Sequence, residues 1–230
     1  VYVCLGPGAP DALRAKVQQA AAEMSGEDGR PVRFHRFIAE APLPWPEHGV
    51  STDTALATIR AIVDGCADAE IVLSVPLDPP AVWLEAHPES VMVIGGEKQP
   101  YVSVASKAWR EAVRTGLEAL ITAVKNDPAG AQVRGCILRC LKDGQWVHPG
   151  GYDRSEANIA AFREWLTARY ETIEAFRAAW RDKELAMETA PIPKEVLSGA
   201  SHTVFHKFPA ERPNVDYLDY ASENTAETLA

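Results

Sequence analysis

Residues 134–146, RGCILRCLKDGQW, join an apolar run to a polar turn. The apolar part, residues 134–141, has the length and composition of a buried β-strand. Beyond the turn, residues 153–170 place apolar side chains three and four positions apart, as an amphipathic helix does. Asp153 or Ser155 is expected to cap this helix, because each side chain can accept a hydrogen bond from a backbone N–H at the helix start. The stretch therefore predicts a strand, a turn and a helix in succession.

The same succession recurs towards the amino terminus. Apolar runs predict further strands at residues 1–5, 32–38 and 71–75. Helical spacing predicts helices at residues 11–24, 52–66 and 106–125, and a further short helix on the carboxyl-terminal side at residues 172–180. Pro79 and Pro80 end the third strand, because proline has no backbone N–H for strand pairing.

Apolar strands separated by helices predict a parallel sheet, because a parallel connection needs a crossover of roughly a dozen residues or more. The predicted fold class is therefore α/β, with about four βα units. Two architectures fit this pattern: an open doubly wound sheet, or the first half of an eight-unit (β/α)8 barrel. Dinucleotide binding is not expected, because Pro7 and Pro10 fill the turn around Gly6 and Gly8 and no third glycine opens the helix.

The composition argues against several partners. The 230 residues include 32 acidic and 23 basic residues, a formal charge of −9, without a dense basic run that could follow phosphates. We therefore expect no nucleic-acid partner. No apolar run reaches the roughly 18 residues that cross a bilayer, and no signal-like segment opens the chain, so we expect no membrane partner and a cytoplasmic location. Because the chain starts at Val1 without a methionine, both ends are expected to be cuts in a longer protein.

Neither a metal nor a cofactor is expected. The chain has four scattered cysteines, Cys4, Cys66, Cys136 and Cys140. Three of them lie in apolar segments, where a thiol behaves as a small buried hydrophobe, so a disulfide scaffold or a zinc site is not indicated. His202 and His206 have the spacing of a metal-binding pair, but no glutamate lies between them, and we attribute the spacing to chance.

Candidate binding residues are those expected beyond the strands, because the loops after parallel strands gather at the edge where substrates bind. Aromatic rings beside carboxylates and an arginine suit a sugar, whose apolar face stacks on rings while its hydroxyls bind polar groups. The residues selected for substrate binding are His35, Arg36, Asp78, Trp83 and Trp146. The same loops contain Glu40, Trp45, Lys142, Asp143, Gln145 and His148.

Several of these residues also have a structural interpretation. His35 alternates with Phe34 on a predicted strand and fits a core histidine equally well. Trp109, Trp165 and Trp180 have helical spacing and are expected in the core.

Three segments resemble glycoside hydrolase family 42, the β-galactosidases, and its relatives in the same barrel clan. Residues 150–180, GGYDRSEANIAAFREWLTARYETIEAFRAAW, are similar to the family segment after the fourth strand. Residues 77–89, LDPPAVWLEAHPE, are similar to its third-strand loop, and residues 215–226, VDYLDYASENTA, to its next helix. The resemblance runs from about Phe34 onwards and implies that residues 1–230 form one partial (β/α)8 barrel domain with a carbohydrate substrate.

The resemblance also implies catalytic positions. In that family a glutamate at the end of strand four is the acid/base, and a glutamate at the end of strand seven is the nucleophile of a retaining glycosidase. Gln145 is implied in the acid/base position, and the nucleophile is expected outside this chain. A carboxamide cannot donate and recover a proton near neutral pH, so this form is expected to be an impaired glycoside hydrolase.

Two alternatives stay open. The chain could be a non-catalytic carbohydrate-binding protein on the same barrel, or a structural α/β domain with an unrelated partner. If the four strands were the whole sheet, their open apolar edge would favour a homo-oligomer.

Overall fold

The computed structural model describes residues 2–6, 8–22, 24–25, 31–45, 51–146, 150–194 and 212–229. The chain divides into two compact units. The first comprises Val1–Asp78 with Ala112–Val147, and the second comprises Pro79–Glu111 with His148–Ala230.

Helices and strands alternate through most of the described chain. In order they are β1 (Val3–Leu5), α1 (Pro10–Ala21), β2 (Met24–Ser25), β3 (Pro31–Val32), β4 (Arg36–Glu40), α2 (Asp53–Gly65), β5 (Glu70–Pro76), α3 (Ala81–Ala86), β6 (Val91–Ile94), β7 (Glu97–Val102), α4 (Lys107–Asn126), β8 (Val133–Arg139), α5 (Glu156–Tyr170), α6 (Ile173–Trp180) and α7 (Arg212–Leu229). Short 3-10 helices lie at Pro88–Ser90, Pro128–Gln132 and Met187–Thr189.

The first unit is built on a parallel sheet with the strand order β1-β4-β5-β8. Each of these strands is followed by at least one helix, which confirms the predicted parallel α/β class. Successive strands of this sheet are neighbours, and the order never reverses. A doubly wound sheet reverses its direction at a switch point. The observed order therefore favours the barrel half over the open sheet.

The two faces of this sheet are buried to different extents. Phe37 of β4 and Leu73 of β5 are almost completely buried on the face covered by helices. Burying such a side chain contributes about 1.5–3 kcal/mol, so this face supplies the core of the first unit. Ile38 and Val72 on the opposite face are half-buried, and Ile137 of β8 is 43% exposed. In a closed barrel that opposite face is the packed interior.

Two of the differences from the predicted boundaries place residues in other elements. The predicted helix at 11–24 ends at Ala21, and Met24 lies in β2. The predicted strand at 32–38 is divided, because Val32 lies in β3 and β4 begins at Arg36. The strands β2 and β3 pair with each other in an antiparallel ribbon. The second boundary matters for function, because it decides which end of β4 carries each polar side chain.

The segment between β5 and α4 contains elements that the sequence analysis does not predict. The short helix α3 begins after Pro80, and β6 pairs with β7 in an antiparallel hairpin. The hairpin turns at Gly95 and Gly96, whose φ angles are +62° and +85°. Strand β7 has the sequence EKQPYV, which lacks an apolar run and contains a proline, so its pattern does not indicate a strand.

The second unit has an aromatic core of its own. Phe162, Phe176, Tyr217 and Tyr220 are buried together, and the partly buried Trp165 and Trp180 pack against them. Trp109 is also completely buried. The prediction of these three tryptophans as core residues is therefore confirmed for Trp109 and holds in part for the other two.

The predicted cap of α5 is confirmed. The hydroxyl of Ser155 accepts a hydrogen bond from the backbone N–H of Asn158 at 3.3 Å. Asp153 in turn accepts one from the N–H of Ser155 at 2.9 Å.

The cysteines depart in part from the sequence analysis. All four are free; Cys66 and Cys140 are buried, but Cys4 and Cys136 are exposed. The exposed pair lies on β1 and β8, the outer strands of the sheet, where no further strand is described beside them.

No helix in the described ranges is both long and apolar enough to cross a membrane.

Candidate functional site

The candidate site is the carboxyl edge of the parallel sheet, which we define by Glu40, Asp78, Arg139, Gln145 and Trp146. Glu40 ends β4 and Arg139 ends β8. Asp78 follows β5 by two residues, and Gln145 and Trp146 lie in the turn after β8. Parallel strands bring these ends to the same edge of the sheet, the edge that holds the active site in barrel enzymes.

An ion pair spans this edge. Nη2 of Arg139 donates to Oε2 of Glu40 at 2.8 Å, across the intervening strand β5. The two side chains are 34% and 38% exposed, so a ligand can reach them. The Nε of Arg139 is buried and has no hydrogen-bond partner among the described residues. A buried donor without a partner costs about 1–3 kcal/mol, so the close cover of Arg139 by the loop after β8 has an energetic cost at this edge.

Asp78 connects the end of β5 to the loop after β8. Its Oδ1 accepts a hydrogen bond from the backbone N–H of Leu141 at 3.0 Å and lies 3.7 Å from the Sγ of Cys140. Burial raises the pKa of the Asp78 carboxyl, against the opposing effects of these two hydrogen bonds and of the Arg139 charge. Burial also raises the pKa of the Cys140 thiol, and the charge of Asp78 adds to that shift. Cys140 is therefore a neutral donor rather than a reactive thiolate.

The loop after β8, which we call the β8 loop and define as residues 141–146, has a strained backbone. Leu141, Asp143 and Trp146 have φ angles of +63°, +58° and +60°. Left-handed backbone costs a non-glycine residue roughly 1–2 kcal/mol. Three such residues in one short loop are sustained by surrounding contacts, and strain of this kind clusters at functional sites.

Hydrogen bonds and close packing hold the β8 loop against its own strand. The backbone N–H of Trp146 donates to the carbonyl of Cys140 at 2.9 Å, and its indole Nε1–H donates to the carbonyl of Leu138 at 3.0 Å. Gly144 lies over the aliphatic part of Arg139, because a Cβ at position 144 would lie 3.1 Å from the Cβ of Arg139. These contacts fix the half-buried ring of Trp146 beside β8, the strand that ends at Arg139.

Gln145 lies within the β8 loop rather than at the end of the strand. Strand β8 ends at Arg139, and Cys140 and Leu141 follow it in the chain. None of these three residues has a carboxyl group in its side chain. The side chain of Gln145 is exposed, and so is that of Asp143, the carboxylate of the same loop. The assignment of Gln145 to the acid/base position stays a prediction.

His35 and Arg36 lie at the opposite, amino edge of the sheet. Because β4 begins at Arg36, the interpretation of these residues as following their strand is wrong. Nε of Arg36 donates to Oε2 of Glu70 at 2.8 Å, and the carbonyl of His35 accepts from the N–H of Glu70 at 2.7 Å. The amino edge of a barrel sheet contributes to stability rather than to substrate binding. The predicted strand at residues 32–38 already contains both residues, and the observed strand extends beyond them to Glu40, so neither follows its end.

The predicted loop tryptophans differ in exposure. Trp83 lies in helix α3 of the second unit, is 3% exposed and stacks on His87 with 4.1 Å between ring centroids. Trp45 is 6% exposed. Neither ring presents a face to a sugar, whereas Trp146 retains accessible surface. The candidate His148 lies outside the described residues, as do His202 and His206.

Arg139 is not among the residues predicted to bind substrate, although a signal for it exists in the sequence. A guanidinium at the end of an otherwise apolar strand requires a partner, because burying an unpaired charge is costly. That partner, Glu40, is 99 residues away in the sequence. Over the parts of the chain that the structure describes, no group of three or more His, Cys, Asp or Glu side chains could hold a metal ion.

Solved structures provide a comparison over nearly the whole chain. The β-galactosidase of the psychrophilic Marinomonas ef1 aligns with 99% of this chain at a TM-score of 0.69 and 17% sequence identity. The fold of this chain is similar to part of the β-galactosidase fold. Gan42B, a GH42 β-galactosidase, aligns with 100% of it at a TM-score of 0.68 and 16% identity. The catalytic domain of β-amylase from Paenibacillus polymyxa aligns with 99% at a TM-score of 0.64 and 12% identity.

These similarities concern the fold. The chain spans about a third of the two β-galactosidases, 33% and 32%, and 60% of the β-amylase domain. No family model and no curated protein matches the sequence. The alignments confirm the predicted partial (β/α) barrel and the structural resemblance to family 42. Since β-galactosidases and a β-amylase share this fold, the activity has to be argued from the site.

Proposed function

We propose that this chain supplies the sugar-binding edge of a barrel of the glycoside hydrolase type. In this barrel β8, the fourth strand of the parallel sheet, provides no proton donor. The observation that carries the proposal is the Glu40–Arg139 ion pair, whose side chains are both partly exposed at the carboxyl edge of the sheet. The fold similarity to β-galactosidases and to a β-amylase supports a carbohydrate as the ligand class.

The groups at this edge have complementary roles in sugar binding. The Arg139 guanidinium supplies donors, and the Glu40 carboxylate supplies acceptors, for neighbouring hydroxyls of one sugar ring. The Trp146 ring offers an apolar surface for the sugar face that carries C–H groups. One aromatic surface beside a fixed donor and acceptor pair is the usual composition of a small-molecule site.

A second candidate function is hydrolysis with position 145 as the acid/base, which the resemblance to family 42 implies. Gln145→Glu tests it directly. An exposed glutamate keeps a pKa near its ordinary value of about 4.3, whereas a general acid that works near neutral pH needs a raised pKa. We therefore expect Gln145→Glu in the full-length protein to leave the hydrolysis of an aryl β-galactoside unchanged. A clear gain in rate would contradict our proposal and establish position 145 as the acid/base.

The binding proposal is tested by thermal unfolding of the full-length protein with galactosides, arabinosides and glucuronides. A ligand that binds the native state alone stabilises it by about 2.7 kcal/mol at a hundred times its Kd, which raises the melting temperature. We expect at least one of these sugars to give a saturable shift. The absence of any shift at millimolar concentrations would contradict the proposal.

A further inference from the structure

We propose that Asp78 is a positioning residue for the sugar site, whose carboxylate fixes the β8 loop in the conformation that holds Trp146 at the carboxyl edge. The inference rests on the proposed function, because Trp146 is taken as a sugar contact. It assigns to Asp78 a role different from direct sugar binding.

The first step is the anchoring of Leu141. Its backbone N–H donates to Oδ1 of Asp78 at 3.0 Å, and its φ angle is +63°. Leucine does not favour this left-handed conformation, so an outside contact is needed to sustain it. The side chain of Leu141 is itself 4% exposed, which keeps the residue from moving freely.

Asp78 is well placed to act as an anchor because its own backbone is restrained. It precedes Pro79, and the residue before a proline is confined mainly to extended conformations. The N–H of Leu77 donates to the carbonyl of Arg139 at 2.7 Å, which joins the chain after β5 to the end of β8. The carboxylate of Asp78 is thus presented to the β8 loop from a fixed base.

The second step connects Leu141 to Trp146. The N–H of Gly144 donates to the carbonyl of Leu141 at 3.0 Å, and the N–H of Trp146 donates to the carbonyl of Cys140 at 2.9 Å. The first bond returns to the anchored residue and the second to the residue before it, so Leu141 begins the turn that brings Trp146 back to β8. The ring is then held to this strand by its own hydrogen bond to Leu138.

Two other roles for Asp78 would give different results: a charged sugar ligand and a proton donor. The groups that face its carboxyl are the N–H of Leu141, the Cys140 thiol and the Arg139 guanidinium, and burial raises its pKa. An asparagine at this position keeps an oxygen acceptor for Leu141 but has neither a charge nor an acidic proton. Asp78→Asn should therefore preserve a positioning role and abolish either of the other two.

The experiment compares Asp78→Ala, Asp78→Asn and the control Asp143→Asn in the full-length protein. Asp143 is an exposed carboxylate of the same loop, and asparagine tolerates its left-handed φ of +58°. Amide hydrogen exchange over residues 141–146 reports the loop, and titration with an aryl galactoside reports the site. Loss of one net hydrogen bond corresponds to roughly a five- to tenfold change, so we expect Asp78→Ala to speed exchange and weaken binding by that factor. Asp78→Asn and Asp143→Asn should stay within about twofold of wild type in both measurements.

The outcomes distinguish a failure of the positioning role of Asp78 from a failure of the proposed sugar site. Unchanged loop exchange in Asp78→Ala, or loss of binding in Asp78→Asn equal to that in Asp78→Ala, would overturn the positioning role. If wild type binds no sugar while the exchange pattern is as expected, the sugar site fails but Asp78 is still the anchor of the loop. Should Asp78→Ala not fold, Asp78→Ser removes the same contact, because its hydroxyl is too short to reach the N–H of Leu141.

Discussion

The two edges of the parallel sheet carry similar residues in different surroundings. At the amino edge, Arg36 bonds to Glu70, its direct register partner on the neighbouring strand. At the carboxyl edge, Arg139 reaches across β5 to Glu40, keeps a buried Nε without a described partner, and lies under a strained loop. An arginine–glutamate pair therefore indicates neither stability nor binding by itself. The edge it occupies, and the hydrogen-bonding groups it leaves unused, distinguish the two roles.

Replacing the two arginines should give the largest difference between the edges. A hydrogen bond to a charged group contributes about 1.5–3 kcal/mol, so Arg139→Ala should weaken sugar binding roughly 10- to 100-fold. Arg36→Ala removes an exposed ion pair far from the proposed site and should change sugar affinity by less than about twofold. Calorimetric titration of both variants measures this. Equal losses in the two variants would remove the functional distinction between the edges.

A smaller effect is expected where the β8 loop packs on Arg139. Gly144 has a φ of +67° and lies against that side chain, so Gly144→Ala combines a disfavoured backbone with a close contact. It should lower the free energy of unfolding by roughly 1–2 kcal/mol, as urea denaturation would show. Gly135→Ala in β8 is the matched control, because nothing lies within 4 Å of a Cβ there. If Gly144→Ala proved as harmless as the control, the loop would not be held as tightly as described.

The smallest expected effect is the change with pH in the contribution of Asp78 to the free energy of unfolding. Because its folded-state pKa is raised, protonation of Asp78 favours the native state, and that contribution is lost as the pH rises through the folded pKa. At pH 7 the buried charge thus opposes folding. Asp78→Asn should be at least as stable as wild type at pH 7, and its advantage should shrink as the pH falls. Urea denaturation between pH 4 and pH 8 checks the sign, and an advantage that grows towards low pH would contradict it.

The sequence predicts the apolar strands of the sheet and their helices because each follows from a local pattern. Residues 71–75 and 134–141 lie close to the observed β5 and β8. The strand order does not follow from such patterns, because pairing joins residues far apart in the chain. Strand β7, EKQPYV, gives no apolar signal, so the apolar run VMVI of β6 has no recognisable hairpin partner in the sequence. The start of β4 is predicted too early because the apolar run begins at Val32.

The candidate site could be predicted in part. Asp78, Gln145 and Trp146 follow strands of clear apolar character, so their placement near the carboxyl edge was accessible from the sequence. Arg139 was missed, since its role depends on a partner 99 residues away. The contact between Asp78 and Leu141 spans 63 residues and uses a backbone N–H, which leaves no trace in side-chain patterns.

The anchor of the β8 loop binds the main chain of Leu141 and not its side chain. Every residue except proline carries that N–H, so position 141 can vary among residues that fit its buried surroundings without releasing the loop. Position 78 has less latitude, because its side chain must supply an oxygen acceptor, as aspartate or asparagine does. Proteins that share this arrangement are therefore better recognised by an Asp-Pro-Pro sequence after the third strand of the sheet than by the residues of the loop it holds.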